Sequence, residues 1–395
     1  MGEWRDTTLG SLLAIGGGSI KTGPFGTALK ASEYSQDGVP VISVGEVGYG
    51  RLVIRSTTPR VSPTVTDRLP EYVLRSGDIV FARKGSVDRS AWVATEQDGW
   101  FLGSDGIRIR SGDGVDGRFL AYQLQGAVLR DWIVQHAGGS TMASLNQGTL
   151  ERVPLRVPGV HEQWAIAEVL GALDDKIAAN AELIRIADEL GSATFRSMLS
   201  ESESLPLSAA ARFINGKAFT KGASRTGRVV VRIAELNSGI GGSTVYSDIE
   251  VADDYLARPG DILFAWSGSL TLHRWFRSEA IINQHIFKVV PAARRPAWLV
   301  WNLIASKLDD FKATAADKAT TMGHIQRHHL DELVEVPARE VVERHDAQMT
   351  ALWSRALAAE QENLTLAATR DTLLPALMSG RLRVRDAERV VEGVA

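Results

Sequence analysis

The chain contains no cysteine. That absence excludes a disulfide scaffold, thiol catalysis and any zinc site built on thiolates, and it suits a reducing cytosol. Long apolar runs are missing too. No stretch approaches the roughly twenty uncharged apolar residues of a membrane span. The opening residues MGEWRDTTLG carry an acid and no apolar core, so they do not read as a secretory signal. A charge excess of one sign is also lacking: 44 bases meet 47 acids, for a net charge of −3. With 395 residues, 44% of them apolar and 23% charged, the composition suits two to three packed domains. The expectation is a soluble, cytoplasmic protein.

Catalytic signatures are equally scarce. There is no N/D-P-P-Y/F/W tetrapeptide of the kind an amino-methyltransferase uses to hold an extrahelical base. GGGSIKT (16–22) imitates a phosphate loop, but Ile20 stands where the G-K-T signature needs glycine, and an ordinary glycine loop explains it. Neither G-x-S-x-G nor H-E-x-x-H is present. His324 and His328 have i,i+4 spacing, with His329, Asp331 and Glu332 nearby, which makes a metal site conceivable. Clustered histidines at a helix start read more simply as polar surface. Gly77-Asp78 and Gly260-Asp261 could suggest carboxylates for a nuclease metal pair, but a turn before a buried strand explains both as well. No catalytic or metal-binding residue is assigned.

What the chain does contain is a long-period repeat. GDIVFARKGS (77–86) returns as GDILFAWSGS (260–269), with seven of ten positions identical. VISVGEV (41–47) returns as VVRIAEL (230–236), SDGIRIR (104–110) as NQHIFKV (283–289), and STMASLNQGTLERVPLRVP (140–158) as TTMGHIQRHHLDELVEVP (320–337). Four blocks in one order at offsets of 179 to 189 imply two copies of one unit. Each copy opens with short Val/Ile runs punctuated by glycine, which predict strands and turns. A helical stretch follows (119–136 and 298–311), then a polar loop, a short strand ending in Val-Pro, and a long helix.

The first long helix is expected over about 161–199, with Ile166, Leu170, Leu173, Ile177, Ile184 and Ala187 in steps of three and four. The second is expected over about 341–379, with Met349, Leu352, Ala356, Ala359, Leu366, Leu373 and Leu377 on one seam. Neither would be stable alone in water, so each must bury its stripe, most simply against the other and antiparallel. Asn180 and Asn363 interrupt the two seams. Either they pair inside the helix pair and fix its register, or both lie at its edge and face water. The predicted domains are 1–159, 160–204, 205–340 and 341–395. The fold class is α+β: two repeated mixed domains separated by an antiparallel coiled-coil pair.

Charge is unevenly distributed. Residues 160–204 hold nine acids against three bases, whereas 205–340 hold 17 bases against 14 acids. The run 205–234 has six bases (Arg212, Lys217, Lys221, Arg225, Arg228, Arg232) and no acid. Arg51, Arg55 and Arg60 fall in an acid-free run over 47–66, and the loops after the repeated strand add Arg83, Lys84, Arg89, Arg274 and Arg277. Any one of these reads as a solvated surface charge. Together, basic glycine-spaced loops on two modules suit phosphate contacts and base-edge readout. The candidate DNA-binding residues are Arg51, Arg55, Arg83, Lys84, Arg89, Lys217, Lys221, Arg225, Arg228 and Arg274.

Two divergent domains, each followed by a long helix, resemble the specificity subunit of type I restriction–modification systems. The resemblance is carried by LNQGTLERVPLRVPGVHEQWAIAEVLGALDDKI (145–177), by TRDTLLPALMSGRLRV (369–384) and by the paired GDI-F-A motifs. It implies that each domain reads one half of a bipartite, asymmetric double-stranded DNA site while the helices set the unread gap. It further implies that two methyltransferase subunits dock on the helices and that restriction–translocation subunits complete the assembly. S-adenosylmethionine, ATP and Mg would then be bound by those partners, with no cofactor or catalytic site in this chain. One departure is that 336–353 lacks the Pro-x-x-x-E-Q start seen at Pro158 to Gln163, which puts symmetric docking in doubt. Competing readings are a self-contained DNA methyltransferase or nuclease, which lacks its motifs, and a coiled-coil adaptor without a DNA role.

Overall fold

The computed structural model describes residues 4–317 and 323–393; Thr320, Thr321 and Met322 of the last repeat block lie outside the described residues. The chain divides into two compact units. The first comprises residues up to Asp175 together with those from Leu366 onward; the second is Lys176–Thr365. The divisions fall inside the long helices, Val160–Met198 and Arg339–Met378, so each helix contributes to both units. No described helix is long and apolar enough to cross a membrane.

Each unit holds two four-stranded sheets and a two-stranded ribbon. In the first unit one sheet runs Ser19–Thr22, Gly106–Arg110, Ile79–Ala82, Ser90–Trp92, all antiparallel. The second unit repeats this order as Ala211–Asn215, Ile286–Pro291, Ile262–Ala265, Thr271–Arg274. The repeated Ile-x-Phe-Ala segments are thus a central strand in both copies, with all four residues of each buried. A continuous apolar run is what a strand covered on both faces requires.

The Gly-Asp pairs are turns. Gly77 and Gly260 have φ of 90° and 94°, a region that only glycine enters cheaply. Asp78 and Asp261 each accept the amide of the arginine three residues earlier, Arg75 and Arg258, at 2.8 Å.

The second sheet of each unit is built on a parallel pair, Val41–Ile42 with Phe101–Leu102 and Val230–Val231 with Ile281–Ile282. The edges differ. The first unit adds Tyr34–Ser35 outside Arg60–Val61, and the second adds Leu256–Ala257 beside Ala280–Ile282. Arg5–Thr8 pairs with Pro154–Val157 and Ser202–Pro206 with Leu333–Pro337, each ribbon delivering its chain to a long helix.

GGGSIKT has the wrong order for a phosphate loop: helix Leu9–Gly16 precedes the glycines and strand Ser19–Thr22 follows them. Among the described residues no three His, Asp or Glu side chains converge as a metal site.

The central and terminal helices have 39 and 40 residues, each about 60 Å long at 1.5 Å per residue. Ile166, Leu170, Leu173, Leu366, Leu373 and Leu377 of the seam are buried in the first unit, and Ala187, Met349, Ala356 and Ala359 in the second. Within the second unit the two helices are antiparallel: Asn180 meets Asn363, while Gly191 lies beside Met349. Asn180 is 3% exposed and donates to Asn363 Oδ1 at 3.1 Å and Glu362 Oε2 at 2.8 Å. Of the two readings of these asparagines, the structure supports the buried pair. The terminal helix carries Pro375 in its last turn, where the missing N–H removes one bond to the preceding turn, and Gly380, at φ 71°, follows the helix end beside Trp4.

Candidate nucleic-acid interface

In both units the chain leaves the buried central strand through a loop welded to the polar loop before the Val-Pro strand. Gly85 N donates to Ala143 O at 2.8 Å and Leu145 N to Arg83 O at 2.8 Å. The second copy repeats this, with Gly268 N to Gly323 O at 2.8 Å and Ile325 N to Trp266 O at 3.1 Å. The loop backbone is therefore fixed while its side chains are free to vary. Close packing beneath it demands glycine: a Cβ at Gly23 would lie 1.8 Å from the Gly103 carbonyl, and one at Gly216 2.1 Å from the Asn283 carbonyl.

A second loop follows the parallel strand and is built on a buried carboxylate, a residue the basic-loop reading passed over. Glu46 accepts Ser43 N at 3.1 Å and the Thr58 hydroxyl at 3.2 Å. At the matching place Glu235 accepts Arg232 N at 3.0 Å and the Thr244 hydroxyl at 3.2 Å. Burial disfavours the charge on Glu235, but hydrogen bonds from Arg232 and Thr244 outweigh it and hold the carboxyl below its ordinary value. The signal was the E in the repeated VGEV and IAEL blocks.

On these loops the first unit gathers cations around exposed aromatic rings. The Arg83 guanidinium lies 5.5 Å from the centre of Phe25, a ring 60% exposed, and donates to Ser104 O at 3.3 Å. Arg89 and Arg130 lie 5.6 Å and 4.9 Å from the Tyr49 ring, whose hydroxyl donates to Asp88 at 2.7 Å. That bond to Asp88 is the main reason the Tyr49 hydroxyl is held above its ordinary pKa. The Nε atoms of Arg83, Arg89 and Arg130 are buried without a partner among the described residues. Arg130, Tyr49 and Phe25 are additions that no local motif announced. Lys84 is half exposed and pairs with Asp105 at 3.0 Å, and Arg51 is exposed on the same turn as Tyr49. Arg55 is drawn back: its guanidinium donates to the Gly45 carbonyl, as Arg60 does to Gly38.

In the second unit Lys217, Lys221 and Arg225 are exposed on the loop over 216–227, with the Lys217 ammonium 4.5 Å from the Tyr255 ring centre. The Lys221 and Arg225 side chains form no hydrogen bond or ion pair among the described residues. Arg228 is committed to the scaffold, bonded to Glu279 at 3.1 Å and the Ile249 carbonyl at 2.7 Å.

Arg274 corrects the sequence expectation outright. Its side chain is 1% exposed and ion-paired to Asp188 and Glu360, so it cannot reach a phosphate. In sequence Arg274 reads as a loop cation; in the structure it ends strand Thr271–Arg274, and two carboxylates from the helices absorb its charge.

The family described as type I restriction modification DNA specificity domain matches residues 1–186. The specificity subunit of the type I restriction enzyme MjaVIII from Methanocaldococcus jannaschii is 24% identical over 157 residues, covering 38% of this chain and 37% of that protein. The crystal structure of a type I restriction–modification system S subunit from M. genitalium shares the fold, with a TM-score of 0.58 at 16% identity over 95% of this chain and 96% of that one. The matched region holds the first copy's two sheets, its basic aromatic loops and the start of the central helix. The matched region is just under half of this chain, and the chain spans little more than a third of the curated relative's length, so the similarity to type I restriction modification DNA specificity domains is established for the first copy.

Proposed function

We propose that the chain is the sequence-reading subunit of a type I restriction–modification assembly, binding a bipartite site on double-stranded DNA. The observation that carries this reading is the duplication: two units whose antiparallel sheets share one strand order, each presenting cations on exposed loops. Lysine and arginine contacts to phosphates would set register, and a few side chains would read base edges in the major groove. Arg51, Arg83, Lys84 and Arg89 are the candidates in the first unit, and Lys217, Lys221 and Arg225 in the second. Arg55 and Arg228 have lesser roles because carbonyls and carboxylates already hold them. Two readers on one chain gain from effective concentration when their spacing suits the duplex.

In this reading the chain does no chemistry of its own. Two methyltransferase subunits supply S-adenosylmethionine, restriction–translocation subunits supply ATP and Mg, and the assembly works in the cytoplasm. The acidic central helix suits protein partners better than phosphate. The test is selection from a random duplex library by the assembled complex, read by sequencing. A site of two short sequences separated by an unread gap is expected, and one helical turn inserted into both long helices should lengthen that gap. A continuous site, or a gap that does not respond to the insertion, contradicts the reading.

A further inference from the structure

Arg274 ends the edge strand Thr271–Arg274 of the second unit's antiparallel sheet. Its Nε donates to Glu360 Oε2 at 2.9 Å, and its terminal nitrogens reach Asp188 and Glu360 at 3.3 to 3.4 Å. The guanidinium also lies 4.6 Å from the ring of Trp353 and 5.8 Å from that of Trp301. One side chain of the sheet therefore touches the central helix through Asp188, the terminal helix through Glu360 and Trp353, and helix Ala297–Asp317 through Trp301.

The first unit builds the same constellation with the roles exchanged. Its Ile79 faces Trp92 across the sheet, as Ile262 faces Arg274. The strand here gives the tryptophan. The cation comes from Arg118 of helix Gly117–Gln125, which lies 5.0 Å from the Trp92 ring and donates to Asp175 of the central helix at 2.6 Å. Tyr122 of that helix donates to Asp174 at 2.5 Å, and Asp174 accepts Arg370 of the terminal helix at 2.7 Å.

An apolar contact would hold sheet to helix at many angles. A planar fork between two carboxylates and two rings holds it at one. Arg–Trp–carboxylate joints made from different residues in the two copies argue that angle, rather than burial alone, is what they maintain. We infer that Arg274, with Asp188 and Glu360, is a positioning device that fixes the second reading sheet on the helix pair and so sets how strictly the gap in the DNA site is measured. The inference rests on the DNA-reading function proposed above.

The test compares the full chain in its assembly with two variants, Arg274→Lys and the charge-neutral Arg274→Met/Asp188→Asn/Glu360→Gln, the latter leaving no unpaired buried charge. Each selects from a random duplex library, and the ratio of binding at the preferred gap to binding at gaps one base pair shorter or longer is measured. The triple variant is expected to lose roughly tenfold of that discrimination while its preferred bases in both half-sites stay the same. Arg274→Lys should fall between, because an ammonium cannot span both carboxylates as a fork. A folded triple variant with undiminished gap discrimination overturns the inference and leaves the DNA-reading function standing. A wild-type complex that selects no bipartite sequence overturns both.

Discussion

The edge strand of the first unit brings Trp92 to the helices and receives Arg118; that of the second brings Arg274 and receives Trp301 and Trp353. Around these joints the antiparallel sheets keep one strand order, the Gly-Asp turns keep one geometry, and the loop after the central strand is anchored by the same pair of backbone bonds. Backbone-dictated features have thus stayed alike between the copies, whereas side-chain joints of equal purpose have been rebuilt from whichever position could supply the charge. The burial of the two joints differs as well. Arg274 is almost wholly enclosed, while the Asp175 that holds Arg118 remains 68% exposed.

That difference in burial sets the largest expected contrast. Arg274→Ala leaves Glu360 and Asp188 facing one another without a cation, at about 3–5 kcal/mol in chemical denaturation. Arg118→Ala should cost about 1 kcal/mol, because solvent screens Asp175. Equal losses would show that the exchanged joints are energetic equivalents after all.

The starts of the long helices give the next contrast. Gln163, 3% exposed, accepts Asp116 N at 3.0 Å and donates to Pro158 O at 2.9 Å. The second unit lacks this glutamine and instead ties Trp298 Nε1 to Asp346 at 2.8 Å. Gln163→Ala should cost about 1–3 kcal/mol for the groups it leaves buried, and Trp298→Phe about 1 kcal/mol, both read by denaturant midpoint.

A pH contrast singles out the second loop carboxylate. The folded-state pKa of Glu235 is lowered from 4.5, so its stabilisation is present above that value and is lost as pH falls through the lower folded value. Glu235→Gln should flatten the acid limb of a stability–pH profile below about pH 4.5. An acid limb identical to that of the unsubstituted chain would show that the Arg232 bonds do not discriminate between its protonation states.

The smallest structural effect belongs to the exposed cations. Lys221→Ala/Arg225→Ala should change stability by less than about 0.5 kcal/mol. It should also reduce the slope of log affinity against log salt by roughly one for each phosphate that these side chains neutralise. Unchanged slope and affinity would remove that loop from the interface and leave the first unit's aromatic-backed arginines as the principal anchors.

Most of the architecture was legible in the sequence because it is written in short-range terms. Glycine-aspartate before an apolar run announces a turn and a buried strand, and apolar residues in steps of three and four announce the long helices. The interrupted seams singled out Asn180 and Asn363 but left open whether they pair or face water, and only the structure decides for the contact. The second sheets' edges were less legible: strands of two residues, such as Leu256–Ala257, carry too little pattern to stand out.

The candidate site was legible as loops but not as side-chain partnerships. Lys221 and Arg274 look alike in a charge count, and only tertiary packing makes one solvated and the other enclosed. Arg130 was missed for the converse reason. It sits on a helix with no basic neighbour, and the fold carries it to Tyr49, 81 positions back along the chain.

The uneven division of the chain has a consequence for how the protein is made. The second unit is contiguous, Lys176–Thr365, and everything it needs has been synthesised once that stretch is out. The first unit is closed only by residues from Leu366 onward, through pairings such as Arg370 with Asp174 and Gly380 with Trp4. The half translated first is therefore completed last. It waits on the ribosome for some two hundred residues with part of its helix seam uncovered, and that interval is when misassembly or degradation would compete most strongly with folding.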